Sequence, residues 1–273
     1  MTIRRSTICL MLVLAIGVTT LGCKAPPEAP EELSDLSRYL FREYESEEWG
    51  AREAGMGNLA AFFAGQDMDV DWDELSYTVD DLGADDVVDV EHPDRDLTLL
   101  MPVGMATLSA FTPEDHSSVI VLTDQTPVEP NSPNTYDRDF TEPTDPSCFP
   151  GKDCVLLRSM NDIVKENALM NIPYEMHKDY RWVELGEPES GNWGILGRTW
   201  CEEVAVGEEG QNEINQSFSV DVFLPQDGGT VRFMALWSES VVPGFGEDVI
   251  MGTIEYGMHQ MFDATEDYLE ENS

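Results

Sequence analysis

The chain has 273 residues, of which 41% are hydrophobic, and it carries 54 acidic side chains against 15 basic ones. Its formal net charge of −39 at pH 7 argues against nucleic acid and anionic lipid headgroups as partners. The hydrophobic content and six tryptophans indicate a folded chain rather than a disordered one. The acids are spread over both halves, which favours a role in solubility over a single binding patch.

Residues 1–22 have the pattern of a secretory signal peptide. Arg4 and Arg5 precede a mostly apolar run over residues 8–18, and small residues follow it. That run is too short to cross a bilayer as a helix, which takes roughly 20 residues. The pattern therefore predicts export rather than a transmembrane anchor.

The segment Thr20–Cys23 (TLGC) resembles the lipobox of bacterial lipoproteins, although Leu is common where Thr20 stands. The resemblance implies cleavage before Cys23, lipidation of that cysteine, and a membrane anchor with residues 23–33 as a flexible tether. Lys24 in place of Asp favours the outer membrane of the cell envelope. The alternative is ordinary secretion with Cys23 as a free thiol.

Residues 34–124 are expected to form a mainly helical N-terminal part, although 34–273 can also be one domain. Apolar residues recur at helical spacing after Ser34, and a second helical piece ends at Gly65. Short apolar runs at 87–88 and 97–101 predict strands. Thr112 followed by proline and two acids predicts the start of another helix.

An acidic segment over residues 67–74 is the only candidate for a cofactor site, and the cofactor would be calcium. Alternate carboxylates begin an EF-hand loop, but the glycine and glutamate that such a loop needs are replaced by Trp72 and Thr78. A looser calcium site and an exposed acidic segment both remain open. The candidate ligands are Asp67, Asp69, Asp71 and Asp73.

Residues 125–152 contain six prolines and are expected to form a long loop without secondary structure. In the oxidising compartment that export implies, Cys148 and Cys154 are expected to form a disulfide. Cys201 is expected to be a buried, inert thiol. A metal site built from these three cysteines and His177 lacks the usual ligand spacings.

Residues 153–273 predict an antiparallel sheet followed by a long helix, which is an α+β arrangement. The β-rich segments are 155–170, 174–185, 194–206, 217–224 and 230–238, with a hairpin turn at 226–229. The helix is expected over about 247–270. Its predicted apolar face comprises Ile250, Ile254, Met258, Met261, Thr265 and Tyr268.

This order of strands and terminal helix is similar to the helix-grip layout of START and Bet v 1-type domains. The resemblance is one of topology, has no sequence motif behind it, and covers the last 120 residues at most. It implies a cavity between the sheet and the helix that takes an apolar ligand. The nearby Met251, Met258 and Met261 suit an adaptable lining, although such a methionine-rich face is more often simply core.

One predicted strand carries four ionisable residues on the same face: Glu175, His177, Asp179 and Arg181. They are candidates for ligand binding, but such a pattern is more often the solvent face of a sheet whose other face is core. No GxSxG, HExxH or phosphate-binding loop is present. The first hypothesis is therefore a lipid-anchored, non-enzymatic envelope protein with a binding or structural role. The alternatives are a cup for a small apolar ligand and a hydrolase-type enzyme using Glu175, His177 and Asp179.

Overall fold

The computed structural model describes residues 28–48, 50–68, 70, 75–167, 169–186, 189–207 and 212–273. The expected signal peptide, Cys23 and Lys24 lie outside the described residues, so the anchor stays a prediction. Within these ranges the α-helices are α1 (Leu33–Arg42), α2 (Ala51–Ala64), α3 (Pro113–Ile120) and α4 (Glu247–Asn272). No helix in the described ranges is both long and apolar enough to cross a bilayer.

Nine strands form one sheet in which every pairing is antiparallel. They are β1 (Ser76–Tyr77), β2 (Met101–Ser109), β3 (Tyr136–Glu142), β4 (Leu156–Glu166), β5 (Asn171–Glu184), β6 (Trp193–Trp200), β7 (Ala205–Val206), β8 (Glu213–Gln226) and β9 (Gly229–Val241). Their order is β1-β2-β9-β8-β6-β5-β4-β3, with β7 paired to β8. The expected α+β class, with a long C-terminal helix on an antiparallel sheet, is confirmed.

Local signals in the sequence set several boundaries as predicted. The Thr112 hydroxyl accepts a hydrogen bond from the Asp115 backbone amide, and the Asp115 carboxylate accepts one from the Thr112 amide, so α3 starts with a capping box. Asp227 and Gly228 have φ of 45° and 89°, which a two-residue hairpin turn requires. That turn joins β8 to β9 where a hairpin was expected.

The strands present alternate residues to two covered faces. Phe218, Val220 and Val222 of β8 belong to the core that contains α1 and α2. Ser217 and Ser219, which alternate with them, face α4 instead. The molecule therefore has three layers: the N-terminal helices, the sheet, and the C-terminal helix.

Residues 125–152 differ from the expected loop because they contain the edge strand β3. Its residues alternate cleanly, with Tyr136, Arg138 and Phe140 buried and Asp137 and Asp139 exposed. The prolines lie on either side of this strand, and none falls within it. The proline count therefore hid a short strand that hydrogen-bonds to β4.

The two short strands expected between residues 87 and 101 are also different in the structure. Val88 is 80% exposed and follows a single 3₁₀ turn, Ala84–Asp86. Leu97–Leu99 form another such turn, and the Asp96 side chain accepts a hydrogen bond from the Thr98 backbone amide. The strand in this region is β2, which begins only at Met101.

Cys148 and Cys154 form the expected disulfide, with their Cα atoms 5.3 Å apart. Phe149 inside this ring is fully buried, and its carbonyl accepts a hydrogen bond from Trp182 Nε1 at 2.8 Å. Cys201 is a buried free thiol just after β6, and burial raises its pKa to about 12. Since the thiolate is the reactive form, Cys201 has the environment of an inert thiol.

Candidate functional site: the cavity beneath the C-terminal helix

A partly enclosed cavity of about 150 Å³ lies between α4 and the face of the sheet that α4 covers. Its floor is formed by strands β4, β5, β6, β8 and β9, and its roof is the first half of α4. The loop between α3 and β3 closes one side, through Glu129, Asn131 and Ser132. The sequence resemblance predicted a cavity in this place.

The strand register sets the chemistry of the floor. Lys178 of β5 is paired with Thr199 of β6, Thr199 with Ser219 of β8, and Ser219 with Leu236 of β9. Across the sheet from β5 to β9, the floor therefore presents a positive charge, then two hydroxyl groups, then an aliphatic side chain. The hydroxyls of Thr199 and Ser219 have no hydrogen-bond partner among the described residues.

The roof is apolar and comes from one side of α4. Ile250, Ile254, Met258 and Met261 line the cavity, and these are residues that the sequence placed on the buried face of this helix. Methionine side chains are flexible, so they can adjust to bodies of different shape. Gly257 lies between them, and a Cβ atom there would be 3.0 Å from Asn131 Nδ2. The missing side chain therefore lets the α3–β3 loop approach the helix closely.

The opposite end of the cavity is polar and ionisable. It contains Glu129, Tyr136, Lys165, Tyr174 and Lys178. Burial raises the pKa of Glu129, against the opposing effect of the neighbouring cations. Burial also lowers the pKa of Lys165 and raises that of Tyr174. These three side chains are half-buried, and they line the cavity wall.

Lys178 is 6% exposed, and burial by itself disfavours its charged form. Tyr136, Tyr180 and Glu129 outweigh that effect and raise the pKa of Lys178 above its ordinary value. Lys178 is therefore a cation at neutral pH. Its ammonium group lies 5.6 Å from the centre of the Tyr180 ring.

Tyr136 reaches the cavity from the edge strand β3. The residue is 2% exposed, and its hydroxyl oxygen is buried without a hydrogen-bond partner in the described part of the chain. A buried hydroxyl without a partner costs about 1–3 kcal/mol, so such groups are usually satisfied.

A smaller void of about 20 Å³ continues from the cavity beyond Glu129, Lys178 and Met261. His116 lines this void, and its Nε2 lies 2.8 Å from the Ser109 hydroxyl. Burial lowers the pKa of His116 to about 3, with a further contribution from Arg232. The imidazole is therefore neutral at physiological pH.

The four ionisable residues that the sequence singled out on β5 lie on the opposite face from the cavity. Glu175 is exposed, and His177 stacks on Trp200 with ring centroids 4.6 Å apart. His177 Nε2 also lies 2.5 Å from the Glu202 carboxylate. Neither residue is directed towards the cavity beneath α4.

Asp179 and Arg181 belong to a partly buried ionic cluster between β5 and the turn after α1. Arg158 Nε lies 3.4 Å from Asp179, and Arg181 Nη2 lies 3.0 Å from Glu45. Burial raises the pKa of Asp179 to about 7, despite the opposing arginines. Two of the four candidates, Glu175 and His177, thus lie near the protein surface, and the other two belong to an ion-pair cluster. The four do not converge on one site.

Of the four calcium candidates, only Asp67 is described, and it is exposed. Asp69, Asp71 and Asp73 lie outside the described residues, so this site stays a prediction. Within the described ranges, no group of three or more histidine, cysteine, aspartate or glutamate residues is arranged to hold a metal ion.

No family model and no curated protein matches this chain. Solved structures with a similar fold include a STAR-related lipid transfer protein fragment from Xanthomonas axonopodis, with 10% identity and a TM-score of 0.43, covering 63% of this chain and 87% of that one. A START superfamily protein from Mycobacterium smegmatis has 12% identity and a TM-score of 0.39, covering 63% and 99%. Human StAR-related lipid transfer protein 5 has 11% identity and a TM-score of 0.40, covering 62% and 76%. At these values the function has to be argued from the residues of this chain.

Proposed function

We propose that this chain is a non-enzymatic binding protein that holds a small apolar or amphiphilic molecule beneath α4. The observation that carries the proposal is the cavity between the helix and the sheet, apolar under the helix and polar at its far end. Ligand sites in proteins are concave, mostly apolar, and contain a few polar groups that orient the ligand. This cavity is concave, its roof under α4 is apolar, and its polar groups are gathered at the other end and along the floor.

The volume limits the size of the molecule. A protein cavity of about 150 Å³ accepts a body the size of benzene. A ring or a short alkyl chain therefore fits within the walls, and a longer chain would have to extend through the open side. The methionines of the roof allow some expansion, because their side chains have three rotatable bonds.

The second part of the proposal concerns location. The lipobox-like segment ending at Cys23 supports an exported protein anchored by lipid, with the outer membrane as its site. Such an anchor would hold the binding domain next to the membrane while the acidic surface keeps it away from anionic headgroups. Intact mass of the N-terminal peptide tests this part directly, because acylation at Cys23 adds the mass of its fatty chains.

Native mass spectrometry of the protein purified under mild conditions tests the binding function. We expect a bound organic molecule to add a reproducible mass that disappears after denaturation. Ser217→Phe is the matching variant, since Ser217 lines the cavity and a phenyl ring there would occupy the ligand's space. We expect this variant to carry no added mass.

Ser118→Phe is the control variant, because Ser118 is an exposed residue on α3 and does not line the cavity. It should retain the added mass. The proposal would be wrong if the wild-type protein bound no small amphiphile from a panel of alcohols and acids, or if both variants bound equally well.

A further inference from the structure

The polar end of the cavity has an excess of positive charge in an otherwise acidic protein. Only four of the 273 residues are lysines, and two of them, Lys165 and Lys178, line this cavity. Among the described residues, no carboxylate oxygen lies within 4.0 Å of either ammonium group. Glu129 is the one acid in the cavity wall, so the wall has one more cation than anion when all three groups are ionised.

The other charged groups around this end do not neutralise the excess. Arg232 is matched by Asp221, with which it forms two hydrogen bonds of 3.3 and 3.1 Å. Arg138 is buried and donates to the Asn161 side chain and the Ile120 carbonyl, so it adds a further cation. His116 is neutral at physiological pH. Buried charges in proteins are normally paired, because an unpaired one loses its hydration without compensation.

The unsatisfied hydroxyl of Tyr136 lies at the same end. It lines the cavity, it is a hydrogen-bond donor, and it lacks a partner in the described part of the chain. Two ammonium groups and one phenol therefore offer donors, and the aliphatic part of the cavity lies under α4. A carboxylate accepts hydrogen bonds and carries one negative charge, so it supplies what each of these groups lacks.

We propose that the ligand of this cavity is a small monocarboxylic acid, with its carboxylate held by Tyr136 and Lys178 beside Lys165 and its apolar body beneath α4. This inference rests on the proposed binding function and specifies its ligand class. The acidic surface does not prevent it, because repulsion from surface charges is screened over about 8 Å at physiological ionic strength. The cavity cations act on the bound acid at contact distance.

The test compares acids with neutral molecules of the same shape. Octanoate and benzoate are titrated by calorimetry into the full chain, and so are 1-octanol, benzyl alcohol and octylammonium. The chain carries Cys23→Ser, so that no acyl group of its own competes for the cavity. We expect each acid to bind at least about tenfold more tightly than its alcohol, because hydrogen bonds to a charged group are stronger than those between neutral groups. Octylammonium should bind most weakly, because its charge is repelled by the two lysines.

Two variants locate the head group. Tyr136→Phe removes a single oxygen and keeps the ring, and Lys178→Met removes the charge while keeping the length of the side chain. Each should weaken octanoate binding by about tenfold or more and weaken 1-octanol binding by a much smaller factor, because the alcohol carries no charge for these groups to hold. Lys152→Met is the matched control, because Lys152 lies in the disulfide ring away from the cavity. It should change neither affinity.

Two other outcomes would separate this inference from the binding function. If 1-octanol bound as tightly as octanoate, or if Tyr136→Phe and Lys178→Met left octanoate binding intact, the carboxylate assignment would be wrong while the cavity remained a binding site. If the folded protein bound none of the probes, both proposals would be contradicted.

Discussion

The two faces of the sheet are built by the same strands, yet they are packed in different ways. Towards α1 and α2, Phe41 meets Phe218 and Trp237 edge to face, with ring centroids 5.8 and 6.1 Å apart, and all three side chains are fully buried. We call this the packed face. Towards α4, the same strands present Ser217 and Ser219 to a cavity, and we call this the cavity face.

The comparison shows how a sheet can carry a site without losing its core. Because successive side chains of a strand point to opposite faces, the residues of the packed face can pack closely whatever residues stand on the cavity face. Leu224, Val231 and Ala235 extend that core along β8 and β9, so its stability does not depend on filling the cavity face. The cavity face is then free to hold hydroxyls, lysines and empty volume.

The largest expected difference between the faces comes from removing side chains. Phe41→Ala should lower the free energy of unfolding by about 3–5 kcal/mol, because it removes a fully buried aromatic ring from a packed core. Met258→Ala on the cavity face should cost about 2 kcal/mol, since this side chain already borders empty space. Urea unfolding of both variants measures the two losses. Equal losses would contradict the distinction between the faces.

The sequence identified the elements whose signals are local. Three of them are the apolar face of α4, the Asp227-Gly228 turn and the Thr112 cap. Each is determined by residues that lie close together in the sequence. β3 was missed because its alternation covers only seven residues between prolines. Its strand character is set by pairing with β4, which is a contact between distant parts of the chain.

The next largest difference should come from adding volume. Ala235→Phe places a ring in the packed face and should destabilise the protein by about 1–3 kcal/mol or more. Ser217→Phe should cost less than about 1 kcal/mol, because the cavity has room for the ring and the Ser217 hydroxyl makes no hydrogen bond among the described residues. Thermal unfolding of the pair is the measurement. A collapse of the Ser217→Phe variant would mean that the cavity face is packed as tightly as the other.

The two faces should also differ in the sign with which the free energy of unfolding depends on pH. The pKa of His116, next to the cavity, is about 3 in the folded state and 6.5 as the ordinary value. The unfolded chain therefore binds more protons between pH 3 and 6.5, and stability is lost as the pH falls through this range. One proton contributes at most about 1.4 kcal/mol per pH unit. His116→Gln should remove this slope from the pH profile of unfolding.

Asp179, on the packed side of β5, should contribute in the other direction. Its pKa is about 7 in the folded state against an ordinary value of 3.8. The folded protein then binds the extra proton between pH 3.8 and 7, so this residue lowers stability as the pH rises through that range. Asp179→Asn should make the unfolding free energy less dependent on pH there. An unchanged profile would show that the Asp179 carboxyl titrates normally.

The site itself was predictable only in outline. The topology indicated a cavity under the last helix, and Met258 and Met261 of α4 were correctly placed in it, whereas Met251 packs beside them without lining it. Glu129, Tyr136 and Lys165 were missed, because register alone brings β3, β4 and the α3–β3 loop to the same end of the sheet. The alternation along β5 distinguished the two faces of the strand, but it did not show which of them α4 covers. The residues predicted as a binding site, such as Glu175 and His177, therefore lie on the wrong face.

Methionine methyl NMR tests the central claim, that the cavity face binds a small amphiphile and the packed face does not. With methyl-labelled methionine, titration with octanoate or 1-octanol should shift the signals of Met176, Met234 and Met258, which line the cavity. The signal of Met56, buried in the packed face, should stay in place. Shifts confined to Met56, or no shift with either probe, would contradict the account.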